Sequence, residues 1–444
     1  VNLSFALLVA LAAGPRLDAD VAVMPPDAPL VVLVPRLGAV LEPVLDGLAR
    51  LRAHPAIAAA LEPITGAINS RGGVDLFSPK AHARLGLDLS GAAWFAGGAD
   101  GALALPFAKS GDATDYVGAI LGIDPIKIGA GYQAAGLWFQ HGEGRAVFGY
   151  APEVAAPWFA AKRSPGADPL AGCPRGPGEA DLFVRAQSPI GGTACATVRF
   201  DADRVRVDAR YASPLTEGWF GAADNRLLAG LPANPAAVFS TQLGPNALKR
   251  LRAAATKRQL SAFAAGFDGR ISAAAGPGPK DFHLRLGLNA QAAPTVPADL
   301  VAALGDAVEA RWRPDRKQVA LFDAKSGDAV GTLTRAAHTL ELTSSKAVPT
   351  GDLRTALQAP GRVDAVLAQK ASLLLYLRLG GVPHDGQPFL DAVLPALQFM
   401  ELPSETFQPL AGAAAWTMGH ISELAIALWV EQGALHLAIE GVHL

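Results

Sequence analysis

The sequence predicts an α+β protein of two tandem, similar domains, each an antiparallel, hairpin-rich sheet packed with amphipathic helices. Three observations carry this. The segment around Pro29 recurs around Pro235: laid together without a gap, Val32 falls on Val238, Leu37 on Leu243, Gly38 on Gly244, Leu45 on Leu251 and Arg52 on Arg258. After each copy the apolar pattern changes from helical spacing to period two. The chain has 444 residues, of which 50% are hydrophobic and 18% charged. That is too long for one ordinary core and apolar enough for two.

The elements follow in order. Residues 3–13 form an uncharged apolar run. A bilayer span needs about 20 residues, so this run fits the core of a signal peptide over residues 1–19. A buried N-terminal segment is the other reading. The first domain is expected over 20–214, a linker over 215–232 and the second domain over 233–444. Each domain opens on a short strand, Leu30–Val34 or Ala237–Thr241, and passes through Leu-Gly into a helix. In the first helix Leu37, Val40, Leu41, Val44, Leu45, Leu48 and Leu51 recur at helical spacing, with Pro43 awkward inside it. In the second, Pro245 sits near the start, where its missing N–H costs little, and Leu248, Leu251 and Ala255 continue the apolar face.

Hairpins are expected over Ala134–Tyr150, with His141-Gly-Glu-Gly144 as the turn, and over Val198–Tyr211, Val330–Ser344 and Leu424–Ile439. Helices are expected where Leu300, Leu304, Val308 and Trp312 follow at i+4 steps, and over Phe389–Met400 with a break at Pro395. Pro152–Gly178 and Gly276–Pro279 read as loops. A porin-like barrel is the structural rival, because paired alternating strands also build barrels. The helices, and Arg199, Arg204 and Arg206 along one hairpin, argue against it.

The formal charge of −2 excludes the basic footprint of a nucleic-acid binder. The two cysteines, Cys173 and Cys195, are expected to pair in an exported chain, closing a loop worth about 3 kcal/mol. Two unpaired thiols are the alternative. No further apolar run reaches membrane-spanning length.

Chemistry is hard to find. There is no Gly-x-Ser-x-Gly elbow, Ser-x-x-Lys, His-Glu-x-x-His, Walker loop or acidic calcium loop. The nine histidines are scattered without metal-ligand spacing, so neither metal nor cofactor is expected. His141 reads as a solvated turn residue, and Asp201 and Asp203 as turn carboxylates. Lys249-Arg-Leu-Arg252 with Lys257-Arg258 reads as a solvated helix face, the alternative being contact with anionic headgroups or an acidic partner. The aromatic pairs are the candidate ligand site: Trp94 with Phe95, Trp138 with Phe139 and Trp158 with Phe159, and beyond them Trp219 with Phe220. Neighbours on a strand face opposite ways. Such pairs therefore either bury both faces or leave one ring to line an apolar cleft.

The duplicated strand, Leu-Gly, amphipathic helix and hairpin-rich remainder behind a signal-like run resemble uncharacterised exported bacterial proteins of myxobacterial-like composition. The resemblance implies export and duplication, and transfers no catalytic residue. The expectation is a non-enzymatic periplasmic or extracellular envelope protein. It would bind a lipid-like ligand, or an envelope protein partner, in a cleft between the repeats. The rivals are an exported hydrolase with a non-local catalytic site and a surface assembly protein using its sheet edges.

Overall fold

The computed structural model describes residues 28–52, 58, 75, 77–98, 101–109, 111–142, 144–160, 170, 173, 180–187, 192–201, 204–212, 218–221, 228–232, 235–257, 260–276, 282–290, 292, 294–314, 317–344, 350–352, 371–378 and 421–443. The leader expected over 1–19 and the helix expected over Phe389–Met400 lie outside these residues. The described chain is mostly antiparallel β with a few helices, in two compact units that divide between Tyr211 and Ala212.

The first unit contains β1 (Leu30–Val34), α1 (Leu37–Arg52), α2 (Pro79–Arg84), β2 (Ala93–Gly97), β3 (Ala102–Pro106), α3 (Asp112–Leu121) and β4 (Ile126–Ile128). It continues with β5 (Gly131–Ala134), β6 (Leu137–Gly142), β7 (Arg145–Gly149), α4 (Pro152–Ala160), β8 (Leu182–Gln187), β9 (Thr193–Phe200) and β10 (Arg204–Ala212). Its strands lie in the order β4-β5-β6-β7-β3-β2-β1-β8-β9-β10, every pairing with a determined register being antiparallel. β1 sits mid-sheet, with Leu33 opposite Trp94 on one side and Phe183 on the other. Its alternate residues Val31 and Leu33 are fully buried.

Helix α1 keeps Pro43 in its interior. A mid-helix proline costs about 3 kcal/mol or more. Burying Leu37, Val40, Leu41 and Leu45, at roughly 1.5–3 kcal/mol each, outweighs that loss. The stretch expected as a loop from Pro152 begins instead with α4, whose Ala155 is buried in the unit's core. His141 lies in β6 opposite Ala146, not in the turn. It stacks on the Tyr132 ring at 5.1 Å. The hairpin tightens to Gly142–Arg145 because Gly144 takes a positive φ of 74°.

The second unit contains β11 (Ala229–Pro232), β12 (Ala237–Gln242), α5 (Pro245–Lys257), α6 (Ser261–Gly266), β13 (Phe267–Ala275), β14 (Phe282–Leu288), α7 (Val296–Leu304) and β15 (Val308–Trp312). It continues with β16 (Gln318–Asp323), β17 (Ala329–Arg335), β18 (Thr339–Ser344), β19 (Thr350–Asp352), β20 (Leu373–Arg378), β21 (Ile421–Glu431) and β22 (Ala434–His443). Its order is β15-β16-β17-β18-β14-β13-β12-β20-β21-β22. β11, which falls in the expected linker, pairs with β19. Among the described residues β4 pairs only with β5, and β15 only with β16, so neither ladder closes on itself within its unit.

The helix expected to run through Leu300, Leu304, Val308 and Trp312 stops at Leu304. Gly305 follows at a φ of 62°, then a 3-10 turn, and Val308 and Trp312 belong to β15. Val308, Ala310 and Trp312 alternate with Glu309 and Arg311, so the period is two, and the i+4 match was coincidental.

Candidate functional site

Three of the aromatic residues expected to mark a ligand site, Trp94, Trp138 and Phe139, belong to the first unit's core. Trp94, Trp138 and Phe139 are buried, and Phe95 is half-buried. Phe139 stacks between Tyr132 at 5.5 Å and Phe148 at 5.2 Å. On β7, the neighbours Val147 and Phe148 face opposite ways and are both buried, so this part of the sheet is covered on both faces. Trp158 and Phe159 lie on α4, their side chains outside the described set. Trp219 is 37% exposed, with the Arg250 guanidinium 4.7 Å above its ring. The basic run on α5 is partly committed to structure. Arg252 donates from Nε to the Ala264 carbonyl (3.1 Å) and from Nη2 to that of Phe267 (3.3 Å), pinning α5 to the end of α6.

Cys173 and Cys195 are joined in a disulfide. It fastens the Leu170–Cys173 turn, through Leu170 and Cys173 themselves, to β9 and the first unit's core. Asp201 caps the β9–β10 turn, its N–H donating to Arg204 O, and its carboxylate accepts from Arg199 Nε at 3.1 Å. Asp203 lies outside the described residues.

Two polar pairs, one buried and one half-buried, stand apart from these. In the first unit His82 Nδ1 lies 2.9 Å from the Tyr116 hydroxyl, tying α2 to α3. Burial holds that phenol protonated at any ordinary pH. In the second unit Arg285 and Glu341 face each other across β14 and β18 at 2.9 Å, with His283 Nε2 3.9 Å from the same carboxylate. Desolvation lowers the His283 pKa, Glu341 opposes the shift and Arg285 adds to it.

A cavity opens in the second unit. It has a volume of about 960 Å3 and is lined by Pro294, Thr295, Ala298, Trp312, Lys317, Arg335, Ala336 and Ala337. Strand parity assembles it. Trp312 is opposite Val319, and Val319 opposite Leu333, so all three side chains share one sheet face. Lys317 and Arg335, two residues from Val319 and Leu333, fall on that face as well. Further along, the face is apolar core: Val319, Leu333 and Leu340 are buried with Val296 of α7. Trp312, Lys317 and Arg335 are the residues reached where α7 no longer covers the sheet.

Backbone hydrogen bonds hold this rim together, Arg313 N–H to Gln318 O at 3.0 Å and Arg335 N–H to Lys317 O at 2.9 Å. The Arg335 guanidinium donates from Nη2 to the Ala292 carbonyl at 2.7 Å, which fixes a positive charge at the cavity wall. Arg311 points to the opposite face, paired with Glu309 at 2.9 Å and lying 4.3 Å over the Phe322 ring. Trp312 is 40% exposed. Sequence reasoning missed this group because it placed Trp312 on a helix. The Val-x-Ala-x-Trp alternation after Gly305 was the signal that could have found it.

No protein-family model, curated protein or solved structure matches this chain, so its site is argued from its own residues.

Proposed function

We propose that this is a non-enzymatic, exported envelope protein, built by internal duplication, that binds an amphipathic, lipid-like ligand. One observation carries the binding reading: the second unit's cavity joins an apolar wall of Trp312, Pro294, Ala298, Ala336 and Ala337 to the two cations Lys317 and Arg335. Its volume falls in the range of roughly 300–1,000 Å3 usual for small-molecule sites, and few polar groups among apolar ones is their usual lining. The duplication draws support from strand order. Reading β4 to β10 against β15 to β22, each strand of the first unit has a counterpart at the same place in the second, β1 answering to β12 and β8 to β20. The disulfide favours an oxidising compartment. Among the described residues no helix is long and apolar enough to cross a membrane.

The test is direct. Protein purified from its native host is weighed intact under native conditions, then extracted with organic solvent, and the extract is analysed by mass spectrometry. A co-purifying amphiphile, or a mass shift on adding one, is expected. An empty extract together with no shift for any added lipid removes the lipid-carrier reading.

A further inference from the structure

Resting on that reading, we infer that the second-unit cavity selects its ligand by charge and takes a compact anionic amphiphile. The acidic head group sits against Lys317 and Arg335, and the apolar body lies against Trp312.

The lining itself makes the argument. It holds two cations and, among the described residues, no carboxylate. Two cations on one lining repel a cationic head group, so the site discriminates by exclusion as well as by attraction. Arg335 is tethered at Ala292 O, so its charge stays at the wall instead of swinging into solvent. The first turn of α7 borders the same space through Thr295 and Ala298, adding the positive end of a nine-residue helix. The one carboxylate in that turn, Asp299, is not part of the lining.

The apolar side of the wall sets the ligand's size. Pro294, Ala298, Ala336 and Ala337 are short and stiff, and the one large apolar surface is the Trp312 indole. Such a wall covers a short or flat apolar group and offers no long aliphatic channel. A single short chain or a ring suits it.

The experiment uses the full chain with octyl sulfate, octanoate and octyl phosphate as monomeric probes. Octyltrimethylammonium and octyl glucoside are the charge controls, and inorganic phosphate is the free-anion control. Binding is followed by calorimetry and by tryptophan fluorescence. The anionic octyl compounds are expected to bind, more weakly as salt rises. Lys317→Glu is expected to weaken them about tenfold or more, while Lys317→Arg retains them. Trp312→Phe should remove the fluorescence change, which assigns the signal to this site. Equal binding of all three octyl head-group types overturns the charge selection and leaves the amphiphile reading standing. Inorganic phosphate binding as tightly as octyl phosphate overturns the role of the apolar body. Failure of every octyl compound to bind overturns this inference. The amphiphile reading falls with it only if the native extract is also empty and no added lipid shifts the mass.

Discussion

Two single residues show what pattern alone conceals. The Leu-Gly dipeptide that follows β1 and β12 recurs in the sequence, but its reason is spatial. In the first unit Gly38 N–H donates to Leu89 O at 2.7 Å, and a Cβ on Gly38 would stand 3.3 Å from that oxygen. In the second unit Gly244 N–H donates to Trp219 O at 2.9 Å, and a Cβ would run into the Gly218 backbone. We expect Gly244→Ala to destabilise by about 1–3 kcal/mol, as overpacking does, and Gly38→Ala by less. Chemical denaturation of the two variants orders them. His283 gives a pH dependence of definite sign. Its folded-state pKa lies below the ordinary 6.5, chiefly through desolvation, so the unfolded chain binds the proton more readily. The stability this neutral histidine contributes is present above pH 6.5 and is lost as pH falls toward the lowered folded value. Melting temperature followed from pH 7.5 to 5 should drop, and less steeply in His283→Gln. Parallel curves for the two proteins would show that His283 is not the group responsible.

At the level of elements, the strands and the first helix of each unit were readable because their burial follows simple periods. The β9–β10, β17–β18 and β21–β22 hairpins lie where alternation put them. What failed were elements whose signal was ambiguous over a few residues. Val308 and Trp312 match both a four-residue and a two-residue period, and Gly305 decides between them. The Pro/Gly-rich composition after Tyr150 hid α4, because a proline at a helix start costs nothing. Among the candidate aromatic pairs, Trp138 and Phe139 are both buried, and that both faces are covered there is something the opposite facing of strand neighbours alone could not show. The disulfide is an element-scale link whose effect is calculable. It spans 22 residues, which corresponds to about 3 kcal/mol of loop-closure entropy. The double variant Cys173→Ala, Cys195→Ala should lose stability of that order. It should leave probe binding at Trp312 unaltered, since the bond belongs to the other unit. Calorimetric melting and the octyl sulfate titration together check both halves of the statement.

At the scale of the molecule, strand partnership was the part that local pattern could not supply. β1 lies between β2 and β8, and β12 between β13 and β20, joining segments far apart in the chain. Alternation says that a strand has a buried face and does not say which strand lies beside it. The consequence is two sets of cores, one within each unit. The first unit's cluster runs from Ala28 to Cys195, while the second unit's clusters draw on residues from Leu228 onward. Among the described residues each cluster draws its members from a single unit, which gives each unit a core able to melt as its own cooperative step. Calorimetry should accordingly resolve two transitions. Leu33→Ala, which opens a cavity beside Trp94, should lower one of them by an amount corresponding to about 2–5 kcal/mol. Leu333→Ala, beneath the α7 layer, should lower the other. A single transition shifted equally by both variants would mean that the two cores melt as one, and the separate-unit reading would then be wrong.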